Sequence, residues 1–182
     1  SNQFDSIKTQ NKSWESQIPI LKKALCSFDG EIFFEFSIPR MGKRVDVVVL
    51  YKGVVFVLEF KVGEKTYPNA AIEQGLDYSV DLKNFHEQSH LRAIVPIIVA
   101  TEAPDCGPVF KKYTDRVYHP TCSNKGNIYS HIEQLADEVN EKNPIIPSDW
   151  LHSIYKPTPT IIEAAQALYK GHSVKEISRS DS

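Results

Sequence analysis

Apolar residues recur along this chain with two different periods, and the switch between them marks out its elements. Between Thr9 and Phe28, Trp14, Ile18, Leu21 and Leu25 lie three or four apart, the spacing of one helix face. Pro19 falls inside that stripe, so the helix either starts there or kinks there. After Asp29-Gly30 the pattern becomes that of extended chain. Glu31–Ser37, Arg44–Tyr51 and Val54–Val62 read as strands, the last two joined by a tight Lys52-Gly53 turn. Those two are apolar at odd and even positions alike, which predicts a sheet covered on both faces. Asn69 is a candidate N-cap for a helix running through about Gln88. Ala93–Thr101 reads as a buried strand, Arg116–His119 as a short strand and Cys122–Gly126 as loop. Ile128, Ile132, Leu135, Ala136 and Val139 mark another amphipathic helix. The order helix–three strands–helix–strand predicts an α/β fold, a mixed central sheet flanked by helices.

From Asn143 the pattern breaks into a proline-punctuated segment, PIIPSDW…YKPTPT. Two capping boxes follow, Thr160-x-x-Glu163 and Ser173-x-x-Glu176, with Gly171 ending the first of two short helices. The expected division is a domain over residues 1–142 and a linker over 143–182. A length of 182 residues suits one compact domain with a short appendage. Twenty-one Lys and Arg against 23 Asp and Glu leave a net charge of -2, so only a local patch could hold nucleic acid. Three distant cysteines, Cys26, Cys106 and Cys122, predict a reducing, cytoplasmic setting rather than a disulfide framework. His119-x-x-Cys122 offers too few ligands for zinc. The run Ile94–Ala100 is too short to span a bilayer, so no membrane partner is expected. The first dozen residues lack the apolar stretch of a secretory signal. The sequence says nothing of oligomeric state.

The hairpin carries the chemistry. With a two-residue loop at Lys52-Gly53, Tyr51 faces Val54 and Asp46 comes opposite Glu59, with Arg44 opposite Lys61. Glu59 and Lys61 share a face, as do Arg44 and Asp46. Two carboxylates and a lysine on an apolar sheet are costly unless paired or bound to a cation. Mg²⁺ takes one or two carboxylates and keeps waters for a phosphate substrate. The competing reading is a cross-strand ion-pair network of Arg44, Asp46, Glu59 and Lys61 with no ligand, and a one-residue shift of register would part Asp46 from Glu59.

Asp46, twelve intervening residues, then Glu59-Phe60-Lys61 resembles the D…ExK signature of the PD-(D/E)XK nuclease superfamily. Gln74 and Tyr78 on the next helix are similar to the QxxxY element of its RecB-like branch. The runs IPRMGKRVDVVVL…VFVLEFKVGE…QGLDYSVDLKNFH…IVPIIVAT resemble the N-terminal domain of a group of Schlafen-like DNA/RNA helicases. YKPTPTIIEAAQALYKGHSVKEISRSD resembles the linker before their motor. The resemblance implies a restriction-endonuclease-like core, a nuclease activity on DNA or RNA, Mg²⁺ or Mn²⁺ as cofactor, and a helicase domain of the same full-length chain as partner. It implies Asp46, Glu59 and the Phe60 carbonyl as metal ligands and Lys61 as the catalytic lysine. Gln74 and Tyr78 would position substrate or water. A further acid would come from Glu15, with Glu35 the fallback. Arg40, Lys43, Arg44, Lys61 and Lys65 cluster around this site in sequence and could hold a phosphodiester. No Gly-x-x-x-x-Gly-Lys-[Ser/Thr] occurs, so no ATP site is expected in this stretch. An inactive nuclease-fold module, binding nucleic acid or another domain, is the alternative.

His86-Glu87-Gln88-Ser89-His90 matches HExxH, in which histidines one helical turn apart bind zinc and the glutamate acts as base. Here it falls at the expected end of a helix with no third ligand nearby. Its bland reading is that His86 and His90 cap that helix.

Overall fold

The computed structural model describes residue 15, residues 17–24 and residues 29–180, with 172–180 as backbone only. Helix α1 covers residues 17–24. Strands β1 (Glu31–Ile38), β2 (Lys43–Tyr51) and β3 (Val54–Lys61) follow. Helix α2 (Asn69–Phe85) and a 3-10 turn (Glu87–Ser89) lead to β4 (Ile94–Ala100) and β5 (Thr121–Ser123). Helices α3 (Ile128–Val139), α4 (Pro147–Leu151) and α5 (Pro159–Ser180) complete the order. The strands form one five-stranded sheet in the order β1-β2-β3-β4-β5. β1–β2 and β2–β3 pair antiparallel, β3–β4 and β4–β5 parallel. The fold is therefore α/β with a mixed sheet flanked by helices, in the expected order of elements.

Burial explains the arrangement. On one face Val47, Val49, Phe56, Leu58, Val95 and Ile97 pack with Leu21 of α1 and with Ile128, Ile132 and Leu135 of α3. On the other, Val48, Leu50, Val55 and Val57 pack with Leu82 of α2 and Trp150 of α4. Removing both faces from water is what selects apolar residues, most of them valine, on both sides of β2 and β3, each such side chain contributing about 1.5–3 kcal/mol. Gly75 lets α2 sit close to the sheet: a Cβ there would lie 2.6 Å from Ile98 Cδ1.

Several local expectations are corrected. Pro19 lies inside α1, with Gln17 and Ile18 already helical, so the helix does not start at the proline. Trp14, Leu25 and Cys26 lie outside the described residues. The N-cap of α2 is Pro68 without a side-chain cap bond, and Asn69 is its first helical residue. The last parallel strand is Thr121–Ser123, where loop was expected, while Val117 and Tyr118 form only isolated bridges. Residues 143–158 fold back onto the body: Trp150 is fully buried, and its Nε1 donates to Ser89 Oγ at 2.9 Å. Periodicity could not show this, because one tryptophan among prolines makes no stripe. The two short helices are one, α5, running through Gly171; an interior glycine costs a helix about 1 kcal/mol without forbidding it. No helix among the described residues is long and apolar enough to cross a membrane.

The expected register holds along the hairpin, from Tyr51↔Val54 to Val47↔Leu58. One step further the pleat slips. Val45 joins Val48 and Leu50 in the α2-side cluster, three residues from Val48 instead of two, and on β1 Phe33 and Phe36 do the same. Between the rungs Phe34↔Val47 and Phe36↔Val45 the rung of Glu35 with Asp46 is missing. Glu35 adopts φ 50°, a left-handed conformation that costs a non-glycine residue on the order of 1–3 kcal/mol. The sheet is thus irregular where the candidate acids lie.

Candidate active site

Alternation puts Glu59 on the same side of β3 as Val55 and Val57, facing α2. Beyond Val47↔Leu58 the backbone ladder stops, and Asp46 Oδ2 accepts the Phe60 N–H at 3.0 Å. A side chain replaces the missing strand partner, which fixes the Asp46 carboxylate beside Glu59. Lys61 follows two residues along, its Nζ 3.5 Å from Glu59 Oε1. The structure brings Asp46, Glu59 and Lys61 together, although the expected rungs of Asp46 with Glu59 and of Arg44 with Lys61 do not form.

The electrostatics are those of crowded, partly dehydrated acids. The Glu59 side chain is only 5% exposed, and its Oε2 is buried with no hydrogen-bond partner. Burial, then the negative charge of Asp46, pushes the Glu59 carboxyl up to about 7, against the pull of Lys61. Asp46 is also raised, chiefly by burial, although the Phe60 N–H and Lys61 oppose the shift. Glu35 adds to it by repulsion. Glu35 in turn lies 3.7 Å from Arg44. Glu15 sits exposed in the helical N-terminal stretch; the further carboxylate acting on Asp46 is the β1 residue.

Among the described residues no three His, Cys, Asp or Glu side chains assemble into a group able to hold a metal ion alone. Asp46 and Glu59 nonetheless fit a hard cation of the Mg²⁺ type. They supply two oxygen donors, one with an atom lacking any partner, and such an ion takes few protein ligands. A cation would offset the burial that raises both acids and the charge of Asp46 that raises Glu59 further.

On α2, Gln74 Nε2 donates to Tyr78 Oη at 2.6 Å, and Tyr78 packs against the α2-side cluster. Lys43 Nζ is 2.6 Å from Asp81 Oδ2, a bond that raises the lysine. Arg40, in the β1–β2 turn, holds its guanidinium over the Tyr155 ring, 5.3 Å from the centroid. Lys65 is exposed in the loop after β3. Of the cationic candidates, Arg40, Lys43 and Arg44 thus have protein partners. Tyr155 was not anticipated: nothing local in YKPTP marks it, since the turn that meets it lies over a hundred residues earlier.

The HExxH pattern is not realised. Helix α2 stops at Phe85, and His86 is extended with φ -98° and ψ 107°. The histidines therefore do not share a helix face, and the zinc-peptidase geometry is absent. His86 does occupy the C-cap position, its backbone N–H reaching the Leu82 carbonyl, but its ring is a core group. It bonds Ser89 Oγ through Nδ1 at 2.7 Å and packs edge-on to Phe36. Burial lowers it to about 4, so it is neutral near pH 7 and no cation for the helix end. Two open clefts, of about 600 and 620 Å³, lie by the Lys52-Gly53 turn and beside His90, Arg92 and Arg116. Neither includes Asp46, Glu59 or Lys61.

No family model matches the chain, and no curated protein matches it. Among solved structures it is similar to that of a repair endonuclease from Pyrococcus abyssi, with 20% sequence identity and a TM-score of 0.38. The match covers 52% of this chain and 39% of that one.

Proposed function

We propose that this chain is a divalent-metal-dependent nuclease domain acting on phosphodiester bonds of DNA, or of RNA. The observation that carries the reading is the meeting of Asp46 and Glu59 from neighbouring strands, Glu59 Oε2 buried without a partner, beside the Lys61 ammonium. The D…ExK…QxxxY resemblance and the order of elements support it.

Asp46 and Glu59, with the Phe60 carbonyl, would hold Mg²⁺ or Mn²⁺. When bound, the ion supplies a water made acidic enough to attack at neutral pH and a positive charge against the phosphate. The Phe60 N–H holds Asp46 in place. Lys61, one-third exposed and beside Glu59, would present its ammonium where charge builds on the phosphoryl oxygens. Gln74 and Tyr78, bonded to each other, position the substrate strand or the attacking water. Arg40, Lys43, Arg44 and Lys65 would contact phosphates. Coupling to a helicase motor rests on the resemblance of Tyr155–Asp181, and a cytoplasmic setting on cysteine usage, Cys106 and Cys122 both being free thiols.

The test is cleavage of labelled DNA and RNA in Mg²⁺, Mn²⁺ and EDTA, with Mn²⁺ binding measured by calorimetry. Asp46→Asn and Lys61→Ala are expected to abolish metal-dependent cleavage while circular dichroism stays unchanged, and Asp46→Asn alone to weaken Mn²⁺ binding. Cleavage persisting in both variants excludes this site. Salt-sensitive binding with no cleavage in any metal identifies an inactive nuclease-fold module instead.

A further inference from the structure

Gln74, Tyr78, Asp81 and Phe85 are spaced by four, three and four residues, so they form one stripe along α2. All four are half-buried. The stripe adjoins the one formed by Ala71, Gly75, Ser79 and Leu82, which is buried. Lys43 closes on it at Asp81. At its far end Phe85 stacks on Tyr155, the rings 5.5 Å apart and only 2° from parallel. Arg40 covers Tyr155. A column of three flat groups, guanidinium over phenol over phenyl, therefore stands where the α2 stripe meets the β1–β2 turn.

We infer that this column is a base-stacking subsite for single-stranded nucleic acid, leading a strand to or from the Asp46–Glu59 pocket. The inference deepens the nuclease reading by naming the form of substrate, and it rests on that reading only for which strand is cut. Three observations carry it. First, the column is not needed to fasten residues 154–158: that is done by the backbone. Lys156 N–H donates to the Phe85 carbonyl at 2.8 Å, Thr158 N–H to Asn84 at 2.9 Å and Glu87 N–H to Ile154 at 3.2 Å. Second, Arg40 is an exposed residue held at φ 61°, a costly backbone for an arginine, and its guanidinium lies over the Tyr155 ring. A planar guanidinium both stacks on a base and bonds a phosphate. Third, the spacing suits a strand. Arg40 lies six positions before Asp46, first through the β1–β2 turn and then along β2, at most about 20 Å, which no more than about six stacked nucleotides span. Lys43 lies between the two as a phosphate contact. A duplex, whose bases are already stacked inside, could use the cations but not the column.

The experiment uses the full chain in Ca²⁺, with anisotropy of labelled oligonucleotides: single strands of four and twelve nucleotides in DNA and RNA, and a twelve-base-pair DNA duplex. Wild type should prefer the longer single strand to both the shorter one and the duplex. Tyr155→Leu, which keeps apolar bulk against Phe85, should weaken single-strand binding at least fivefold and duplex binding less than twofold. Arg40→Asn, which tolerates the left-handed backbone, should weaken it similarly and lower the salt slope by about one. Tyr155→Phe should bind as wild type, which separates stacking from a lost hydroxyl. Single-strand binding unchanged in both Tyr155→Leu and Arg40→Asn overturns the inference, as does an equal loss for duplex. Stack-dependent binding without cleavage in Mg²⁺ leaves this subsite standing and fails the nuclease reading. Cleavage with stack-independent binding does the reverse.

Discussion

The Asp46–Glu59–Lys61 cluster and the His86–His90 pair both carry metal-ligand patterns in sequence, and both contain buried nitrogen or oxygen atoms without partners. They differ in what surrounds them. The acids meet at the end of a β-ladder, next to an ammonium one-third exposed, where the charge of Asp46 adds to the burial that raises Glu59. The His86 ring is sealed between Phe36 and Trp150 and bonded to Ser89. Burial acts on both, but in opposite directions: it drives Glu59 up to about 7 and His86 down to about 4, favouring the neutral form each time. The lesson is that a motif becomes a site only where the fold leaves charge unbalanced and reachable.

The largest effect that could break this comparison is on activity. Glu59→Gln should lower Mg²⁺-dependent cleavage about a hundredfold or more, since it removes a donor for the charge-stabilising ion. His90→Gln, in the same single-turnover assay, should change the rate less than about twofold. Equal losses would return the histidines to the chemistry.

Stability comes next. His86→Ala should cost about 2–4 kcal/mol in urea unfolding at pH 7, from a cavity and a Ser89 hydroxyl left with only its bond from Trp150. His86→Phe should cost distinctly less than the alanine variant, because the ring then has no buried nitrogen to satisfy. A phenylalanine variant as unstable as the alanine one would show that the imidazole makes an essential bond.

The smallest effect is on pH dependence, where the two regions should pull apart. A carboxyl raised from 4.5 to about 7 on folding binds more protons in the folded state. Metal-free stability from Glu59 therefore falls as pH rises from about 4.5 to 7, and divalent cation should restore it. A histidine lowered from 6.5 to about 4 acts oppositely: its contribution is whole above 6.5 and lost as pH falls toward 4. Melting curves should show Glu59→Gln removing the first slope and His86→Phe the second. If Glu59→Gln leaves the metal-free profile unchanged, the carboxyl is not strained by burial.

Much of this was legible beforehand. The Lys52-Gly53 turn fixed which residues of β2 and β3 face each other, because side chains alternate and a two-residue loop leaves one register. Doubly apolar strands announced cover on both faces. What escaped was non-local: Trp150 closing the α2 side, Tyr155 meeting Arg40, and β5 starting at Thr121 after a long loop. Three residues with one apolar neighbour carry no period. Helix α2 ends at Phe85, three residues short of the expected Gln88, since His86 leaves the helix to bury its ring, a tertiary gain that helix propensity does not register.

By itself, then, the chain's pattern determined the order of elements, the two-sided sheet and the convergence of Asp46 with Glu59, all of which follow from short-range periodicity and one tight turn. Only the tertiary structure decided that the ladder breaks at Glu35 and Asp46, that Glu59 is left with an unpaired oxygen, and that the His86 ring is core. Those outcomes depend on which distant groups exclude water from each side chain, and desolvation is a property of the assembled fold.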